Sequence, residues 1–113
     1  MSLQLKFKAS KVDEIEKAKG LPIQNCIADT SVGMLTLFIE KAVLNEDGTV
    51  GCTKNTAMRL LDEYLEEPEH DTDCLVLDIM EALVNGGFLS RQLNMEQVRS
   101  SAKKEMENQL KKI

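Results

Sequence analysis

Residues 56–88, TAMRLLDEYLEEPEHDTDCLVLDIMEALVNGGF, limit the fold of this chain more than any other stretch. Two helical patterns lie there, separated by an acidic, proline-containing break and closed by a double glycine. Ala57, Leu60, Leu61, Tyr64 and Leu65 recur at the spacing of one helical face, with about 3.6 residues per turn, and leave Asp62, Glu63, Glu66 and Glu67 outside it. The first half is therefore an amphipathic helix. After Pro68, Val76, Ile79, Met80 and Leu83 repeat the spacing, while Leu75, Leu77 and Ala82 spread apolar character around the circumference. A helix apolar on several sides is expected in the core, so the second half is read as the central element. Gly86 and Gly87 supply a positive φ to end it, and Phe88 stands where a side chain folds back over the last turn.

The rest of the chain reads as mainly α. Residues 2–8 alternate, with Leu3, Leu5 and Phe7 on one side and Gln4, Lys6 and Lys8 on the other, the pattern of a short half-buried strand. Ser10 with Asp13 reads as a helix cap and its reciprocal acid; Val12, Ile15 and Ala18 then predict a helix over 10–19, stopped by Gly20. Pro22 opens a short helical turn in which Ile23, Cys26 and Ile27 share a face. Thr30 and Ser31 are cap candidates for a helix striped by Leu35, Phe38, Ile39, Ala42 and Val43, and Thr53 for the helix from Lys54. Between those two, Asp47-Gly48 signals a turn with room for a small β-hairpin. A last helix over about 90–110 carries the narrow stripe Met95, Val98, Ala102 and Met106, which suits a docked surface helix or a partner-binding arm, with Lys111 and Lys112 at its end. The expectation is one compact multi-helix domain over 1–113, with a packed body over about 1–88.

At 113 residues, 42% of them hydrophobic, such a domain can bury a core without disulfides or metal. The net charge of −5 opposes nucleic-acid binding, which rests on dense Lys and Arg. The charge is uneven: residues 40–81 are strongly acidic and both ends mildly basic, which reads first as solvated helix faces and, as the alternative, as an acidic face for a basic partner or the basic end of a second copy. Cys26, Cys52 and Cys74 contain no C-x-x-C pair and read as reduced thiols. The longest apolar run, around Gly33 to Ile39, is far short of the roughly 20 residues of a membrane span, and the first residues lack the order of a signal segment. A soluble cytoplasmic protein without membrane contact is expected.

Catalytic and metal chemistry find little support in the residues. A calcium loop aligned with Gly48 at its sixth position puts Asn45 and Asp47 at the third and fifth, but Val43 at the first and Lys54 at the twelfth, where neither side chain supplies a ligand oxygen. His70 is the only histidine and no nucleophile accompanies it, so it reads as a loop residue. The carboxylates from Glu66 to Asp73 suit the N-terminus of the following helix for structural reasons. Neither a phosphate-cradling glycine loop nor spaced zinc ligands occur. The expectation is a protein with no enzymatic activity, no cofactor and no metal.

Across about 80 residues the chain resembles the small tail assembly chaperones of tailed bacteriophages and prophages, in particular those of long-tailed phages of Gram-positive hosts. The resemblance lies in FKASKVDEIEKAKG (7–20), MLTLFIEKAVL (34–44), AMRLLDEYLEE (57–67) and IMEALVNGGF (79–88), above all in the pairing of LLDEYLEE with EALVNGGF. Family members often carry a Trp-Ala pair in the middle helix, where this chain has Glu40-Lys41-Ala42. The resemblance implies a helical protein of the bacterial host cytoplasm that binds the tape measure protein and tail tube subunits transiently during virion morphogenesis, and that self-associates in some members. On that reading the partner-binding residues are sought at helix ends, at Tyr64, Phe88, Leu89 and Leu93. A head–tail connector or other virion component, or a helical adaptor unrelated to phages, is the alternative.

Overall fold

The computed structural model describes residues 3–92 and 95–100, and within them the chain is helical, as the sequence predicts. The elements are α1 (Ala9–Lys19), α2 (Ile23–Cys26), α3 (Val32–Ala42), α4 (Lys54–Glu66) and α5 (Thr72–Gly86), and residues 95–100 are also helical. Three starts are fixed by side chains that accept an otherwise orphaned amide. Ser31 Oγ takes the Met34 N–H at 3.3 Å, Thr53 Oγ1 that of Thr56 at 3.2 Å, and Asp71 Oδ1 that of Cys74 at 2.8 Å. The expected cap at Ser10 does not form. α1 starts one residue earlier, with Lys8 as an extended N-cap that offers no side-chain bond, and Asp13 pairs with Lys17 at 2.9 Å instead. Ala18 is exposed, so the buried face of α1 is Val12 and Ile15.

The central element is α3, which corrects the expectation that α5 would be. Met34, Leu35, Thr36, Phe38, Ile39 and Ala42 are all buried, and α1, α4 and α5 pack around them. α5 buries only Leu75, Ile79, Leu83 and Val84; Val76 and Ala82 are partly exposed, and Asp78 and Glu81 give it a polar side. The difference lies in where the charges fall: α3 confines its own, Glu40 and Lys41, to its last turn. Its one buried polar side chain, Thr36, donates its hydroxyl to Val32 O at 2.7 Å, so no donor is stranded. Phe38 meets Phe7 edge to face, ring centroids 6.0 Å apart.

Extended chain plays a smaller part than the sequence suggests. The alternation of residues 3–8 holds, with Phe7 buried, Leu3 and Leu5 half-buried and Gln4, Lys6 and Lys8 exposed. The ladder, however, is reduced to one antiparallel bridge, Leu5 with Val43, flanked by Lys6 N–H to Ala42 O (2.7 Å) and Leu44 N–H to Gln4 O (2.9 Å). α3 runs to Ala42 and the chain turns at Asp47-Gly48, which leaves few residues free to pair. Leu44 makes a second bridge, to Val50, and Asp47 Oδ1 closes the turn on the N–H and hydroxyl of Thr49. That carboxylate is engaged within the loop, in keeping with a plain turn. No helix among the described residues is long and apolar enough to cross a membrane.

Truncating Phe38 removes the contact with Phe7 and opens a cavity against α3. Phe38→Ala is expected to cost about 3–5 kcal/mol in urea unfolding, whereas Val32→Ala, at an exposed position of the same helix, stays within about 0.5 kcal/mol.

Candidate partner-binding surface

α4 uses two adjacent faces. Ala57, Leu61 and Tyr64 are buried against the core. One position further round, Met58 and Leu65 lie seven residues apart, hence on one line of the helix, and both are exposed, at 41% and 37%. Asp62 lies between them, and Glu63 and Glu66 are also exposed on the helix. Asp62 therefore interrupts the line, Glu66 stands one step round from Leu65, and Glu63 lies on the far side of the helix, paired with Arg59 at 3.2 Å.

The buried end of α4 is tied to α5 through Tyr64, whose ring is covered while its hydroxyl reaches a partner. The hydroxyl donates to Asp78 Oδ2 at 2.8 Å. Arg99 Nη2 donates to the other oxygen of the same carboxylate at 3.0 Å and to Glu81 Oε2 at 2.6 Å. Asp78 thus joins α4, α5 and the helical residues 95–100. His70 completes the node: its ring stacks on that of Tyr64, centroids 4.1 Å apart and planes 12° apart, and its Nδ1 lies 3.1 Å from Tyr64 O. Burial, followed by the hydrogen bond to Asp78, pushes the Tyr64 phenol far above its ordinary range. The Arg99 ion pairs are partly exposed, at 35% for Arg99 and 37% for Asp78, so each stabilises by at most about 1 kcal/mol.

The C-terminal end of α5 is shaped by its two glycines in different ways. Gly87 takes the left-handed conformation, φ 85°, and a Schellman motif follows: Phe88 N–H bonds to Leu83 O at 2.8 Å and Gly87 N–H to Val84 O at 3.0 Å. Gly86 remains helical but lies under the Phe88 ring, where a Cβ would come within 3.1 Å of it. Phe88 and Leu89 are half-buried and pack on the core beside an open groove that includes Gln24 and Arg91.

The residues singled out from the sequence are therefore not brought together as one exposed patch. Tyr64 is buried, only 6% exposed, because its ring completes the core face of α4; the expectation that it is a contact residue is corrected. Leu93 lies outside the described residues, as does the proposed C-terminal helix beyond residue 100. Within 95–100, Met95, Val98 and Arg99 are half-buried, so this part is docked on the body. Leu65 was expected on the buried stripe and is exposed instead. Met58, next to Ala57, was not singled out at all; the signal for it was an apolar residue standing one step off the stripe. His70 is an anchored ring rather than a bare loop residue. Burial raises all three free thiols above their ordinary range, so none is poised as a thiolate. Comparison with known protein families, with curated proteins and with solved structures returns no match.

The chain has one tyrosine, so tyrosinate absorbance reports on Tyr64 alone. Its folded-state pKa lies above that of the unfolded chain, so its stabilising effect is complete below about pH 10 and is lost as pH rises beyond that. Tyrosinate formation is expected to coincide with loss of structure well above pH 10. Asp78→Asn is expected to bring the midpoint down, leaving it above 10 because burial remains. Tyr64→Phe should cost about 1 kcal/mol at neutral pH.

Proposed function

We propose that the chain is a protein-binding module without catalytic activity, and specifically a tail assembly chaperone that engages a tape measure protein and tail tube subunits transiently in the cytoplasm of a bacterial host. The observation that carries the binding reading is the exposed pair Met58 and Leu65 on one line of α4, with the Asp62 carboxylate between them. Exposed apolar residues aligned on a helix can pack against the apolar face of a client helix, and the Asp62 carboxylate between them favours one with a basic side chain at that place. The narrower reading, tail assembly, is supported by the sequence resemblance. Its two most characteristic strings, LLDEYLEE and EALVNGGF, occupy α4 with the residue after it and the end of α5 with its cap, which the Tyr64–Asp78 bond holds in one unit. Self-association is part of the same proposal, as the mildly basic ends of one copy are complementary to the acidic middle of another.

Co-expression with the tape measure protein of the same gene neighbourhood tests this directly. The chain should keep that long helical protein soluble, co-purify with it, and be absent from finished particles. Met58→Glu combined with Leu65→Glu is expected to abolish co-purification while leaving the melting temperature within a few degrees of the parent, since both side chains are exposed. Recovery of the chain from purified particles, or binding undiminished in the double variant, would count against the proposal.

A further inference from the structure

The extended segment near the N-terminus uses only one of its two edges. In an antiparallel pair, successive residues direct their main-chain N–H and C=O groups to alternate sides. Gln4 C=O and Lys6 N–H face residues 42–44 and are bonded there. Those of Leu3 and Leu5 face the other way, and no hydrogen-bond partner for them occurs among the described residues. Unpaired main-chain groups on an extended segment are a template for another strand. The segment borders a cleft of about 400 Å³ whose lining includes Leu44, His70, Ala82, Asp78 and Glu81, the last two carboxylates both bonded to the Arg99 guanidinium.

The two carboxylates also indicate which side chain the cleft accepts. Asp78 and Glu81 stand three residues apart on α5 and already hold one guanidinium between them, that of Arg99 from this same chain. A strand laid along Leu3–Leu5 sends alternate side chains to opposite faces. One face can therefore place an arginine at the carboxylate pair while the other passes Lys6 and Lys8, which are exposed. These lysines also oppose edge-to-edge pairing of two copies, because charged side chains along an open edge guard against self-association.

We propose that the Leu3–Leu5 edge and the adjoining cleft form a β-addition site for an extended, arginine-bearing segment of a partner protein, with Arg99 occupying the guanidinium position until the partner arrives. Main-chain hydrogen bonds to Leu3 and Leu5 supply the affinity, and the Asp78–Glu81 pair supplies the selectivity for a cationic side chain. The site is independent of the tail-assembly reading and uses a surface other than the Met58–Leu65 line.

The test uses the full chain and a fluorescein-labelled heptapeptide, Thr-Val-Arg-Val-Arg-Val-Thr. Saturable binding is expected, with amide hydrogen exchange at Leu3 and Leu5 slowed about tenfold or more. Replacing both arginines of the peptide by glutamate, or N-methylating its central amides, is expected to weaken binding about tenfold or more. Glu81→Gln, at an exposed position, should weaken it, and Arg99→Ala should strengthen it by removing the competing guanidinium. Three results would overturn the proposal: no saturation at millimolar peptide, binding indifferent to N-methylation with exchange at Leu5 unchanged, or Leu3 and Leu5 amides already protected in a concentration-dependent dimer of the free chain.

Discussion

Burial of α3 is the constraint on which the other elements depend. Met34, Leu35, Phe38 and Ile39 are each at most 1% exposed, a degree of coverage that α3 cannot reach without neighbours on several sides. α1, α4 and α5 supply them, and the Leu5–Val43 bridge at its end holds the N-terminal segment so that Phe7 lies on Phe38. Each fully buried side chain of this size contributes about 1.5–3 kcal/mol relative to exposure, against about 0.5–1.5 kcal/mol for an ordinary hydrogen bond. The hydrogen-bonded caps at Ser31, Thr53 and Asp71 set where helices begin. The apolar surface of α3 sets how they assemble.

That division explains why α5 has spare surface. Its Leu75, Ile79 and Leu83 are wholly committed to the core, and the side beyond them carries Asp78 at its flank and Glu81 further round. These carboxylates join elements rather than fill space: Asp78 receives Tyr64 from α4 and Arg99 from residues 95–100. The energies are small, because the ion pairs are partly exposed. The geometry is nevertheless specific, since one carboxylate with two oxygens bonds two different elements at once, and its position on α5 fixes where both can sit.

Helix identity was legible in the sequence wherever periodicity and capping agreed. Ser31, Thr53, Gly20 and Gly87 act as read, because a cap or a positive φ depends on a few adjacent residues. The rank of the helices was not legible from periodicity. α5 looked apolar on several sides, yet what decides burial is whether its charges can be turned outward together. Likewise Leu65 belongs by spacing to the buried stripe, and only the packing of α4 shows that the core ends at Tyr64. The strand over 2–8 was correct in its alternation and wrong in its extent, because pairing needs a partner of matching length and α3 leaves none. Tyr64 was misplaced as a contact residue for the same reason: an aromatic near a helix end serves equally well as a binding anchor or as the last core residue, and the fourteen-residue separation from Asp78 hides which it is.

The candidate surfaces follow from where the core stops. On α4 the boundary runs between Tyr64 and Leu65, adjacent residues about 100° apart around the helix, so the ring that closes the core brings the exposed line directly beside it. On the N-terminal segment the boundary runs along the main chain itself, since the bonds to 42–44 satisfy one edge while Leu3 and Leu5 have no main-chain partner on the other among the described residues. An exposed apolar line selects a partner through side-chain packing, and an open edge selects through main-chain hydrogen bonds. The two surfaces therefore discriminate by different chemistry, and a helical client and an extended one need not compete for the same residues.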